Sequence, residues 1–211
     1  NVSKYHFKIN DGDIVKTITR SALKNSIYYK LPTLNIAMTH SNDTISPDSI
    51  VIGSSYAGGI VFHIFQSGEP GYVPGETHGL ICVPSYLNEM LWANTSTYCS
   101  TDTALGSGQN NTQLIVNALG NNAYAAYACD TCTQNGYTDW FLPSRNELLY
   151  LISNKSYLPS NYFHVTWYIS FWTSSEVINN TANAYNVTSS GDSVPQTKTT
   201  HKAYVIPVRK F

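Results

Sequence analysis

At 211 residues, with 42% apolar side chains, the chain is long enough for one large domain with a sizeable core. Charged residues make up only 12% and the net charge is −1, about half the usual charged quarter, so bulk charge gives no reason to expect nucleic acid as a partner. No stretch reaches the ~18 apolar residues that a membrane span needs, so membrane insertion is not expected either.

Solubility falls instead to Asn, Thr, Ser and Tyr, with sixteen tyrosines among them. Such a neutral, hydrogen-bonding surface suits glycans and other extracellular polymers, although codon drift in an AT-rich genome produces the same composition. Charge is unevenly spread. Residues 1–30 hold Lys4, Lys8, Lys16, Arg20, Lys24 and Lys30 against Asp11 and Asp13, a local +4. Residues 31–211 hold six basic and eleven acidic residues, a local −5, yet Lys198, Lys202, Arg209 and Lys210 make the far end basic again.

Residues 1–50 read as an N-terminal extension to a globular domain over 51–211. From Asp13, a candidate N-cap, Ile14, Val15, Ile18, Ala22 and Leu23 fall near helical spacing. A helix there places Lys16, Arg20 and Lys24 on one basic stripe, and would pack on the core or at a trimer interface. The β-branched residues of the same segment also suit a strand. Residues 40–49 are a polar connector.

The core begins at Val51. Gly58-Gly59 precedes an apolar strand over 60–65, and Gly68, Pro70, Gly71, Pro74 and Gly75 mark a loop before a return strand over 78–84. Residues 111–128 carry Leu114, Ile115, Ala118 and Leu119 and read as a helix in two pieces, broken near Gly120. Ser144 to Ser153 is the clearest helix, with Ser144 and Glu147 spaced as a capping box and Leu148, Leu149, Leu151 and Ile152 as the buried stripe. Strands follow at 171–174 and 203–208. Short strands around a few helices, without βα alternation, predict a single-domain α+β fold of antiparallel strands and long loops.

The four cysteines, Cys82, Cys99, Cys129 and Cys132, permit three disulfide pairings and are read as structural, paired or free. Cys129-x-x-Cys132 leads into a turn rather than a redox helix. Cys82 and Cys99 lie too far apart for a zinc pair. Six histidines are scattered without metal-ligand spacing, Ser107 lacks a nucleophile elbow, and no Lys follows Gly106-x-Gly108 as a phosphate loop requires. Neither an enzyme nor a cofactor is expected.

Several segments occur in a telling order. Gly58-Gly59-Ile60-Val61-Phe62, His78-Gly79-Leu80, Trp92 and the run 103–112 come first. Gly136-Tyr137-Thr138-Asp139-Trp140-Phe141-Leu142-Pro143-Ser144, Phe171-Trp172-Thr173-Ser174-Ser175-Glu176, Ala184-Tyr185-Asn186 and Val208-Arg209-Lys210-Phe211 follow. Over roughly 55–211 this series resembles the C-terminal domain family of the Legionella collagen-like adhesin. The resemblance implies an α+β fold distantly similar to C-type lectins, a homotrimer because collagen repeats wind in threes, a secreted or bacterial cell-surface location, and binding to sulfated glycosaminoglycans. The lectin-type calcium triplets are missing from the sequence, so calcium-dependent sugar binding is not expected.

The motif residues Asp139, Trp140, Arg145, Trp172, Glu176 and Arg209 are assigned architectural roles. Trp140 and Trp172 are expected to fill the core, Asp139 to accept from backbone or Arg145, and Glu176 to bind loop amides or Arg209. The polyanion ligands expected are Lys16, Arg20, Lys24, Lys30, Lys198, Lys202 and Lys210, since Lys and Arg hold sulfates by charge-assisted hydrogen bonds. The alternative is a trimerisation cap or protein-binding module without glycan affinity.

Overall fold

Three β-branched residues in a row, Thr17-Ile18-Thr19, favour extended backbone over helix. In the computed structural model, which describes residues 4–7, 16–19, 50–160, 162, 163 and 169–211, that preference wins. Lys4–Phe7 (β1) pairs antiparallel with Lys16–Thr19 (β2), Tyr5 opposite Ile18. The helix expected from Asp13 is therefore corrected to a strand at 16–19, and its remaining positions lie outside the described residues. The chain divides into two units, residues 1–43 and 44–211.

The second unit is an α+β assembly of two sheets and three helices among the described residues. Ser55–Tyr56 (β3), Gly59–Ile64 (β4) and Gly79–Cys82 (β5) join Val208–Lys210 (β11) in a four-stranded sheet of order β11-β5-β4-β3. The β3–β4 hairpin turns on two residues, Ala57 with φ 43° and Gly58 with φ 88°. A two-residue turn that matches the twist of its strands needs positive φ at both positions, which glycine adopts freely and alanine does not.

Leu87–Leu91 (β6), Ser170–Glu176 (β7), Asn183–Thr188 (β8), Ser193–Thr197 (β9) and Lys202–Val205 (β10) form the second sheet, in the order β6-β10-β7-β8-β9. All pairings are antiparallel except β10 with β7. The segment expected as one strand over 203–208 is split between the two sheets. Ile206 and Pro207 separate β10 from β11, and proline has no N–H to continue a ladder.

Gly108–Leu119 (α1) ends at Gly120, whose φ is 68°, and Ala125–Asp130 (α2) follows, as the break near Gly120 foretold. Arg145–Ser153 (α3) opens with the expected capping box. The Ser144 hydroxyl accepts from the Glu147 amide and the Glu147 carboxylate accepts from the Ser144 amide. A Cβ on Gly108 would collide with Glu147 Oε2 and with the Ser144 backbone nitrogen. The first turn of α1 thus rests directly on the cap of α3, a contact only glycine permits.

Two groups of buried side chains fill the unit. One gathers Phe62, Leu80, Ile81, Trp140, Leu151 and Phe171, and the other Trp92, Ile115, Tyr124, Leu142, Trp172 and Val205. Full burial of each such side chain is worth about 1.5–3 kcal/mol. The indoles are also satisfied as donors: Trp92 to Thr173 O at 2.8 Å, Trp172 to Met90 O at 2.9 Å, and Trp140 to Tyr137 O at 3.1 Å.

Candidate functional site

The signature residues assemble around two charged centres. At the first, the Gly-Tyr-x-Asp-Trp segment comes up against β11. Arg209 donates from Nε to Asp139 Oδ1 at 2.7 Å and from Nη2 to Asp139 Oδ2 at 2.8 Å, a two-pronged pair. Its Nη1 donates to Ala57 O at 2.8 Å. The guanidinium lies over the Tyr137 ring at 4.0 Å, and over Trp140 at 6.0 Å. One side chain therefore joins the hairpin turn, the motif loop and the last strand. Hydrogen bonding from Arg209 holds the Asp139 carboxyl below its ordinary range, against the opposing effect of burial. The expected Asp139 partners were backbone or Arg145; the charged partner is Arg209, not Arg145.

Arg145 serves elsewhere. Its Nε donates to Ser193 Oγ at 2.7 Å and its guanidinium lies 5.1 Å from the Tyr185 ring centre, so it ties α3 to β8 and β9. Tyr137 was not singled out in advance, although its place within the motif was the available signal.

At the second centre, Glu176 and Lys198 form an ion pair in which both side chains have no exposed surface. Both Glu176 carboxylate oxygens accept from Cys99 N at 2.9 Å, and Oε2 also accepts from Thr101 N at 3.3 Å. Lys198 Nζ donates to Thr97 O at 3.0 Å and stands 4.5 Å from the Trp92 ring centre. Glu176 does bind loop amides as expected, but Lys198 and not Arg209 neutralises it. This removes Lys198 from the expected polyanion ligands, because a side chain without exposed surface cannot meet an external sulfate.

Of the remaining cations, Lys202 is exposed on β10 and has no partner among the described residues. Lys210 is half-buried, with Nζ 3.4 Å from Gly106 O. Lys16 lies in β2, and Arg20, Lys24 and Lys30 lie outside the described residues. Lys155, not foreseen as a ligand, is exposed beside Ser189, with Nζ 2.6 Å from its carbonyl. Among the described side chains, the expected set is thus reduced to Lys202 and the half-buried Lys210.

Two histidines sit against carboxylates. His63 Nε2 lies 2.7 Å from Glu69 Oε2, with Tyr150 donating to the other Glu69 oxygen at 3.1 Å, and His78 Nε2 lies 2.7 Å from Glu76 Oε2. The Glu76 hydrogen bond raises the His78 pKa. No cluster of three potential metal ligands occurs among the described residues. Cys82, Cys99, Cys129 and Cys132 are free thiols. Burial pushes the Cys82 thiol up to about 12 and, with Glu176 adding to it, the Cys99 thiol to about 11; burial also raises Cys129. A thiol with so high a pKa is a poor nucleophile.

No helix among the described residues is long and apolar enough to cross a membrane. No curated protein matches the chain. A family model described as the Lcl C-terminal domain matches residues 82–209, which begins in β5, covers both charged centres and spans well over half of the chain. The chain therefore belongs to the Lcl C-terminal domain family, a domain of surface-associated collagen-like proteins.

Proposed function

We propose that this domain is the non-enzymatic binding head of a secreted, collagen-like bacterial adhesin that holds sulfated glycosaminoglycans through clustered cations. The observation that carries the reading is the segregation of charge. Residues 1–30 hold six cations against two acids, the densest positive stretch in the chain. In the second unit, Lys198 and Arg209 are consumed by Glu176 and Asp139, so its free contribution falls to side chains such as Lys202 and Lys155. Each protomer then presents a modest patch. A homotrimer, as collagen repeats impose, would multiply it, and linked sites gain about 10²–10⁴ in avidity.

The test is retention of the intact protein on heparin across a salt gradient, with its mass in solution recorded in parallel. Salt-sensitive retention of a trimer is expected, because bound polyanions release counterions. Replacing Lys16, Arg20 and Lys24 together by Ala should lower the eluting salt more than Lys202→Ala does. Flow-through at low salt would overturn the reading.

A second reading, a protein-binding or trimerisation cap, draws on the acidity of the globular part. Residues 50–211 hold six basic and nine acidic residues, a net −3. Such a module would hold its partner regardless of sulfation.

A further inference from the structure

The turn joining β3 to β4 forms one wall of an open pocket of about 260 Å³ beside the Asp139–Arg209 centre. Ser55, Tyr56, Ala57, Gly58, Pro84 and Asn135 line it. None of these carries a charge at neutral pH. The one guanidinium nearby, Arg209, is already neutralised by Asp139 and also bound to the Ala57 carbonyl. A sulfated or phosphorylated ligand would find no cation here, so the pocket selects for neutral groups.

Its walls are held in place before any ligand arrives. Both carbonyls of the two-residue turn are captured, Ala57 O by Arg209 and Gly58 O by Asn135 Nδ2 at 2.6 Å. Ala57 and Asn135, two of the four non-glycine residues with positive φ among the described residues, stand on this one pocket. Alanine at φ 43° carries backbone strain that surrounding contacts must hold. The Tyr137 ring is packed so closely on Gly58 that no side chain fits between them. Tyr56 is 37% exposed, and its ring meets that of Phe211 in an edge-type contact with ring centres 5.1 Å apart. Ring and turn are therefore preorganised, which lowers the entropic cost of binding.

Two polar side chains, Asn135 and Ser55, line the same space. Fixing Asn135 Nδ2 on Gly58 O leaves its Oδ1 as an acceptor, with only a long 3.5 Å contact from Gln134 Nε2. The Ser55 hydroxyl has no partner among the described residues and can donate or accept. We infer that this pocket is a subsite for a neutral saccharide ring. One apolar face of the sugar stacks on Tyr56, and its hydroxyls bond to Asn135 Oδ1 and Ser55 Oγ. The size agrees: the cavity lies just below the about 300–1,000 Å³ of drug-sized sites and fits one or two rings rather than a long chain. This site is independent of the polyanion reading, since it shares no residue with the cations invoked there.

The experiment is an amide-resolved NMR titration of the full chain with three uncharged probes: cellotriose, maltotriose and N,N′-diacetylchitobiose. At least one should give saturable shifts in the millimolar range, as suits a shallow site, confined to residues 55–59, Pro84's neighbours and Asn135. Tyr56→Ala should weaken that binding at least about tenfold, the loss of one stacking platform. Tyr56→Phe should keep it, and heparin retention should be unchanged in both. Absence of shifts with all three probes at tens of millimolar overturns the inference. So does binding that survives Tyr56→Ala in a variant whose remaining spectrum matches the parent protein.

Discussion

Glu176 and Lys198 neutralise each other where water does not reach, and through Cys99, Thr101 and Thr97 they pin the segment 97–101 onto the five-stranded sheet. A pair so enclosed is costly to halve. Lys198→Met leaves a carboxylate buried without a counter-charge and should cost about 3–5 kcal/mol, read from chemical denaturation. The double variant Lys198→Met/Glu176→Leu should recover part of that loss. It should still fall short of the parent, because the Cys99 and Thr101 amides lose their acceptor, at about 1–3 kcal/mol. A double variant as unstable as the sum of the singles would show that the two residues are not coupled.

Glu147 carries the second prediction. Burial raises its pKa, although the Ser144 and Gly106 amides both donate to it and pull the other way. A carboxyl whose folded pKa lies above the unfolded value is neutral in both states at low pH. It then loses stability as pH rises through the interval between the two values. Glu147→Gln cannot ionise, so the parent's advantage over this variant should be larger near pH 4 than at pH 7. An advantage that grows with pH over the same range would reverse the assignment.

At Asp139 the sign is opposite. Arg209 depresses the folded pKa, so the pair stabilises above the unfolded aspartate value and its contribution disappears as pH falls through the folded one. Arg209→Lys keeps the charge but loses the fork and the flat stack on Tyr137. Asp139 is about half exposed, with 48% of its side-chain surface accessible, so the electrostatic part is screened by solvent. We expect a loss of about 1 kcal/mol at pH 7 and a shallower acid-denaturation limb, both measurable in parallel melts.

Thiol labelling supplies the fourth. Cys132 is partly exposed whereas Cys82, Cys99 and Cys129 are buried. Under native conditions an alkylating reagent should modify Cys132 first, and the other three should react at rates set by unfolding. Rapid native labelling of all four would contradict the burial described above.

What could be read in the sequence was local in origin. Ser144 and Glu147 are three residues apart, so their reciprocal cap shows in the string itself, as does the break at Gly120. The α+β class followed from the same short-range signals. The fate of Lys198 could not be read this way. Its charge looked like surface, because the partner carboxylate lies twenty-two residues earlier and meets it only once β7 to β9 have folded. Strand β9 was missed because its residues are largely exposed and carry a proline, leaving no apolar alternation to find. Lys16–Thr19 went the other way: helical spacing of apolar residues competed with β-branching over four positions, and pairing with Lys4–Phe7 decided it.

The switch between sheets at Ile206-Pro207 has a bearing on how the chain is made. Strand β10 sits between β6 and β7, and β11 closes the edge beside β5, so neither sheet has its full complement until residues 202–210 leave the ribosome. At about 5–20 residues per second, the interval after β5 emerges lasts several seconds. Throughout it β6 has no neighbour to pair with, and its edge stays open.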